Sequence, residues 1–313
     1  MSSFESISGT AGSATGVDTG ASTDPCIKCD EMKTSVKPYD RHVVLCLPHL
    51  SLSPDEAIGM KWPSKVEEIP LVAHITERLS AAKDNGVFLK VTACDYNNYK
   101  DSIDGGAACS DCANDWVGMS QISFILYPEA VIVDVPAAVT EATEGAAMSP
   151  LDLFLAWAVR PNSSAAELAS LLESCVADGA GPAVIPVPWT KLILVCTHAN
   201  RDKRCGRAGP QVVQALQKEI TECLAVEAGA DSLGAYRVVG SSHIGGHKFA
   251  GTLLVYPEGD WFGRVSKSSA KALLQHIRNR AAGPAAATEA DTVVRTKCFR
   301  GNGFCASDSD REW

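Results

Sequence analysis

Lys191-Leu192-Ile193-Leu194-Val195-Cys196 is an apolar run ending in cysteine, and Arg41-His42-Val43-Val44-Leu45-Cys46 is its counterpart near the start of the chain. Unbroken apolar runs of this length predict strands covered on both faces. Each is followed by a loop and then a helical pattern: residues 71–82 with Val72, Ile75 and Leu79, and residues 212–224 with Val213, Leu216, Ile220 and Leu224. Residues 88–91 and 236–239 supply a second strand to each half. The match is clearest where Ser123-Phe124-Ile125-Leu126-Tyr127-Pro128-Glu129 parallels Thr252-Leu253-Leu254-Val255-Tyr256-Pro257-Glu258. Both tracts pass a proline turn into another apolar strand, at 131–135 and 261–265, which predicts an antiparallel hairpin. A helix then closes each half, at 151–159 and at 268–280.

This duplicated order of strand, helix, strand, hairpin and helix predicts an α/β protein made of two tandem thioredoxin-like domains with mixed sheets. The expected division is a disordered tail over 1–36, a first domain over 37–160 and a linker helix within 161–187. A second domain follows over 188–281 and a C-terminal tail over 282–313. The 313 residues suffice for two such domains, and 46% apolar with 21% charged residues is an ordinary globular composition. A formal net charge of −9 argues against nucleic acid or an anionic membrane as a general partner. No apolar run approaches the roughly 18 residues of a membrane span. The first 24 residues are rich in Ser, Gly, Thr and Ala, and Lys28 is the first basic residue, so neither a secretory signal nor a mitochondrial presequence is expected. The expected compartment is the cytoplasm, with the nucleus also open.

Twelve cysteines in a chain without an export signal shift the expectation from disulfides to metal or redox chemistry. The second half contains Cys196-Thr197-His198-Ala199-Asn200-Arg201-Asp202-Lys203-Arg204-Cys205-Gly206 and, just before the hairpin, His243-Ile244-Gly245-Gly246-His247. Both loops fall at one edge of the predicted sheet, offering two sulfurs and two imidazoles. Thiolates with imidazoles suit an iron–sulfur cluster or zinc. Gly245 and Gly246 disfavour a helix between the histidines, and no Glu adjoins the first, so a zinc-protease reading fits poorly. Glycines let backbone amides approach the sulfides of a cluster. As strand-end residues Cys46 matches Cys196, whereas aligning the two Tyr-Pro-Glu tracts without gaps puts Asn114 and Gly118 opposite His243 and His247. The histidines thus occur only where two cysteines do. Arg201, Lys203, Arg204 and Arg207 around Cys205 are read either as a solvated face or as charge that lowers a thiolate pKa and attracts an acidic redox partner. Arg201 and Asp202 form a possible bracing pair.

The Cys-Thr-His-x-x-Arg-Asp-x-Arg-Cys-Gly and His-x-Gly-Gly-His stretches, with Ala250-Gly251-Thr252-Leu253-Leu254-Val255-Tyr256-Pro257, resemble the sucrase/ferredoxin-like family. Tyr39-Asp40-Arg41-His42-Val43 and Trp62-Pro63 extend the resemblance over about residues 37–280. It implies that the second domain is a thioredoxin-like ferredoxin. The implied cofactor is a [2Fe–2S] cluster with Cys196, Cys205, His243 and His247 as its iron ligands, where all-cysteine relatives carry a second Cys pair. The implied role is electron transfer in redox homeostasis or in resistance to oxidants and metals. An electron carrier is expected rather than a substrate-converting enzyme, and no paired carboxylates support a sucrase. Imidazole in place of thiolate makes a cluster less negative, so a raised and pH-dependent potential is expected.

Cys26-Ile27-Lys28-Cys29 and Cys109-Ser110-Asp111-Cys112 would make a zinc site if they met, though their separation far exceeds that of a compact ribbon. Cys46, Cys94, Cys175 and Cys223 fall within apolar patterns and are expected in the core, while Cys298 and Cys305 receive no role. Trp313, following Arg311-Glu312, resembles the C-terminal signal read by the cytosolic iron–sulfur targeting machinery, although that signal usually begins with an aliphatic residue. Two rival functions stand beside the carrier. A thioredoxin-type thiol–disulfide oxidoreductase would need a closer cysteine pair than one spaced by eight residues, and a zinc-binding interaction module would be colourless. No Gly-x-Gly-x-x-Gly turn supports direct nicotinamide binding, which leaves unnamed redox proteins as donor and acceptor.

Overall fold

A computed structural model describes residues 31–33, 35–47, 62–96, 121–136, 148–175, 181–227, 235–282 and 288–304. The first half runs β1 (Arg41–Cys46), α1 (Pro70–Ser80), β2 (Leu89–Cys94), β3 (Gln121–Tyr127), β4 (Val131–Pro136), α2 (Pro150–Ala158), α3 (Ala165–Glu173) and β5 (Ala183–Pro186). The second repeats that order as β6 (Lys191–Cys196), α4 (Lys203–Glu227), β7 (Tyr236–Ser241), β8 (Leu253–Tyr256), β9 (Asp260–Phe262), α5 (Ala270–Ala282), α6 (Glu289–Lys297) and β10 (Phe299–Asn302). In each half the first two strands pair in parallel, and the hairpin pairs antiparallel against the first. This gives the mixed sheet and the thioredoxin-like strand order expected from the sequence.

The duplication extends further than the sequence pattern indicates. The linker helix α3 packs against α2, and β5 adds to the β4 edge. The stretch expected as a C-terminal tail supplies the equivalent pieces, α6 and β10, with β10 added to β9. Hydrogen bonds secure that addition: Asn302 Nδ2 donates to Asp260 Oδ1 at 2.8 Å and to the Glu258 carbonyl at 2.6 Å. A four-residue strand carrying Arg, Gly and Asn has no apolar signature, so its pairing follows from these side-chain contacts.

Nor do the halves form separate sheets. β2 and β7 meet antiparallel at Cys94 and Ser241, giving one ten-stranded sheet ordered β10-β9-β8-β6-β7-β2-β1-β3-β4-β5. The sheet turns back on itself, because Tyr127 of β3 and Tyr256 of β8 stack at 4.1 Å although four strands lie between them. One face of each half is covered by its own helices: Val43 and Leu45 pack under α1 and α2, while Ile193 and Val195 pack under α4 and α5. The other faces meet each other, and Val44, Cys46, Leu194, Cys196, Tyr127 and Tyr256 share one core. The strand alternation of side chains therefore divides β1 and β6 between an outer and a common inner core.

The repeated Tyr-Pro-Glu tract has a physical explanation here. Glu129 Oε1 accepts from Arg41 Nε at 2.6 Å, and Glu258 pairs with Lys191. Each buried cation at the start of a central strand thus finds its carboxylate in the adjacent hairpin turn. Charges in such positions are tolerated only when paired. Both tyrosine–proline bonds are cis.

Candidate metal centre

Cys196 ends β6 and is buried, as its place at the end of an unbroken apolar strand requires. The chain then turns through 199–201 and enters α4, whose first turn carries the buried Cys205. Two glycines bring these cysteines together. A Cβ on Gly206 would lie 2.2 Å from the Ala199 Cβ, and one on Gly209 would lie 2.1 Å from the Cys196 carbonyl oxygen. One face of α4 consequently rests directly on the preceding loop and the strand end, and each thiol influences the other's protonation.

That influence separates their protonation. Interaction with Cys205 holds the Cys196 thiol well below its ordinary value, against the opposing effect of burial. The His243 ring and the amides of His198 and Ile244 add to it. Cys205 moves the other way, raised first by its interaction with Cys196 and then by burial. Arg204 opposes that rise, in the sense expected of the basic stretch around Cys205, without reversing it. The Arg201–Asp202 pairing is revised. Asp202 is engaged by Arg204, with Nε at 3.0 Å and Nη2 at 2.8 Å, an arrangement that keeps its carboxyl below the usual range.

The histidines follow β7 on a loop. Gly245 and Gly246 take φ of +99° and +72°, a backbone region that disfavours side chains, so the helical alternative fails on geometry. The turn brings the His243 and His247 rings to 5.4 Å between centroids. His247 is exposed, whereas His243 is half-buried and its Nδ1 is fully enclosed without a hydrogen-bond partner. Leaving such a nitrogen unsatisfied costs roughly 1–3 kcal/mol, which a ligand would remove. The four predicted residues thus form a connected set, Cys205 to Cys196 to His243 to His247. Among the described residues, no three His, Cys, Asp or Glu side chains form a ready-made site for a single metal ion. Cys26, Cys29, Cys109, Cys112, Asn114, Gly118 and Trp313 lie outside the described residues.

Four supporting residues carry no role in the sequence reading. His198 is buried, with its Nε2 donating to the Pro63 carbonyl at 2.7 Å and its Nδ1 accepting from the His243 amide at 3.0 Å. Burial keeps it neutral, and these two bonds set its tautomer. It therefore ties the cysteine loop to the histidine loop and to the first half. Trp62 joins it, its carbonyl accepting from Asn200 Nδ2 at 2.6 Å. Lys90 of β2 donates to the Ile244 carbonyl at 2.7 Å, and burial brings it down to about 8. The buried Arg300 of β10 reaches the Gly245 carbonyl at 3.4 Å, and burial brings it down to about 10. The Thr-His pair after Cys196 and the Arg-Gly after Phe299 were the available signals. Replacing His198 with Ala is expected to strand the Pro63 carbonyl and the His243 amide, lowering stability by about 2 kcal/mol. A urea midpoint reduced at unchanged slope would register this; an unchanged midpoint would mean water satisfies both groups.

The fold and this edge define a class: an α/β protein with a repeated thioredoxin-like strand order whose second half, among the described residues, carries the paired Cys/His constellation. The chain belongs to the sucrase/ferredoxin-like family, whose profile matches residues 32–301. Altered inheritance of mitochondria protein 32 of Eremothecium gossypii is 36% identical over 99 residues, 28% of this chain and 28% of that protein. Actin patches distal protein 1 of Saccharomyces cerevisiae is 29% identical over 94 residues, 27% of this chain and 28% of that protein. The chain thus aligns with little more than a quarter of these curated relatives. A thioredoxin-like [2Fe–2S] ferredoxin from Aquifex aeolicus matches 30% of this chain and 84% of its own, at 16% identity and a TM-score of 0.26.

Proposed function

We propose that this chain is an electron carrier whose [2Fe–2S] cluster is held by Cys196, Cys205, His243 and His247. The observation that carries the reading is the gathering of two buried, electrostatically linked thiols and two adjacent imidazoles, one with an orphaned buried nitrogen. Such a cluster supplies reversible one-electron transfer and takes four protein ligands across two irons. The arrangement suits that demand better than it suits zinc, which needs its four ligands around one ion.

The chain's own groups serve the site in separable ways. The amides of His198 and Ile244 help to hold the Cys196 thiol low. The buried strand end and the Gly209 contact keep water from the thiolates. Lys90 and Arg300 place positive charge behind the histidine loop, which favours the more negative, reduced state. The exposed His247 gives electrons a route to a partner.

A role in redox homeostasis or oxidant and metal resistance follows by extension from the family. Recognition of Trp313 by the iron–sulfur targeting machinery is part of the same reading. No helix among the described residues is long and apolar enough to cross a membrane. Anaerobic purification is expected to give a reddish-brown protein with about two irons and two acid-labile sulfides per chain. Cys196→Ala should lose both. A colourless protein holding zinc without sulfide would overturn the proposal.

A further inference from the structure

The groups around Cys205 and His247 form more than a scatter of surface charge. Lys203, Arg204 and Arg207 project from the first turns of α4 along one side of a groove of about 570 Å³. Lys248, Arg264 and Lys267 line the remainder, brought there by the turn after His247 and by the loop after β9. Two of the six are locally offset: Arg204 by Asp202, and Lys248 by Glu31 at 3.2 Å. Lys203, Arg207 and Lys267 are exposed, with no carboxylate partner among the described residues. This concentration of cations stands against a chain whose formal net charge is −9.

Position gives the groove its meaning. Lys248 directly follows the exposed His247, and Arg204 flanks Cys205, so the groove begins where the candidate centre comes closest to solvent. Ala208, Ala250 and Val265 supply a flatter, less polar floor between the cationic walls. A small anion would need converging donors, whereas this surface offers spread charge around an apolar strip, as a transient protein interface does.

We infer that this groove is the docking surface for an acidic redox-partner protein, which it orients with its electron-transfer group against His247. The inference rests on the electron-carrier reading for its purpose, but not for its measurement. Opposed charges on two such surfaces raise encounter rates by roughly 10- to 1,000-fold at low salt, and screening removes the gain.

The test uses an acidic flavodoxin as the probe. Binding of oxidised, isotopically labelled flavodoxin to the full chain is followed by amide shifts, a measurement that needs no cluster. Wild type is expected to bind at low ionic strength and to release with salt, while Lys203→Glu, Arg207→Glu, Lys267→Glu binds at least about tenfold more weakly. Circular dichroism and the urea midpoint confirm that the variant is folded. With cluster-loaded protein, reduction by flavodoxin hydroquinone should slow by a similar factor, while reduction by a neutral deazaflavin radical stays unchanged. Equal flavodoxin binding by both proteins would overturn the inference, as would tighter binding to phosphatidylserine-containing vesicles than to flavodoxin. Absent iron and sulfide would instead sink the carrier reading, leaving the binding comparison to decide the groove.

Discussion

Changing both His243 and His247 to cysteine is expected to lower the midpoint potential of the cluster-loaded protein by roughly 250 mV or more. The reason is charge. Each imidazole is a neutral ligand where a thiolate carries a full negative charge, so the variant cluster is two units more negative and resists an added electron. Clusters with two histidines lie at about −150 to +300 mV, and the plant-type all-thiolate clusters near about −400 mV. The wild-type potential should also fall as pH rises, because the reduced centre holds a ligand proton more tightly and alkali removes that advantage. The limiting slope is about 59 mV per pH unit for one proton and one electron. In the dicysteine variant this slope should vanish. A wild-type midpoint near the plant-type value and independent of pH would refute histidine ligation.

Gly209→Ala is expected to damage the site with a single added methyl group. Its Cβ would sit 2.1 Å from the Cys196 carbonyl oxygen and 3.1 Å from the Thr197 Cα, and both obstacles are backbone. No rotamer can relieve the clash, so α4 must lift from the strand end and carry Cys205 away from Cys196. Overpacking of this kind costs about 1–3 kcal/mol, occasionally more. The denaturation midpoint should fall accordingly, and iron content should fall with it. Gly86 provides the control: it has φ of +69° but open space around it. Gly86→Ala should show only backbone strain, of order 1–2 kcal/mol, with iron content retained. Wild-type stability and iron content in Gly209→Ala would show that α4 does not rest on the strand end as described.

The two lobes differ most in how their strand-end cysteines are used. Cys46 and Cys196 occupy equivalent ends of β1 and β6, both buried in the common inner core. Cys46 faces Cys94 across the parallel pair at 4.0 Å, and burial pushes its thiol well above the ordinary range. Cys196 faces Ser241 at the matching register and meets Cys205 instead. The first lobe contributes to the candidate centre from outside: Trp62 and Pro63 brace the cysteine loop, and Lys90 braces the histidine loop.

Read alone, the sequence determined what depends on local pattern: two buried central strands, their amphipathic helices, the paired hairpins, and a Cys/His set confined to one half. Apolar periodicity and glycine placement act over a few residues, so they are visible without coordinates. Tertiary structure decided the rest. The fusion of both halves through β2 and β7, the return of β10 to the sheet edge, and the bracing of the loops by His198, Lys90 and Arg300 all depend on backbone carbonyls or strand edges. Every residue offers such partners. Which of them a distant side chain meets is therefore set by the packed chain and leaves no mark in the order of its residues.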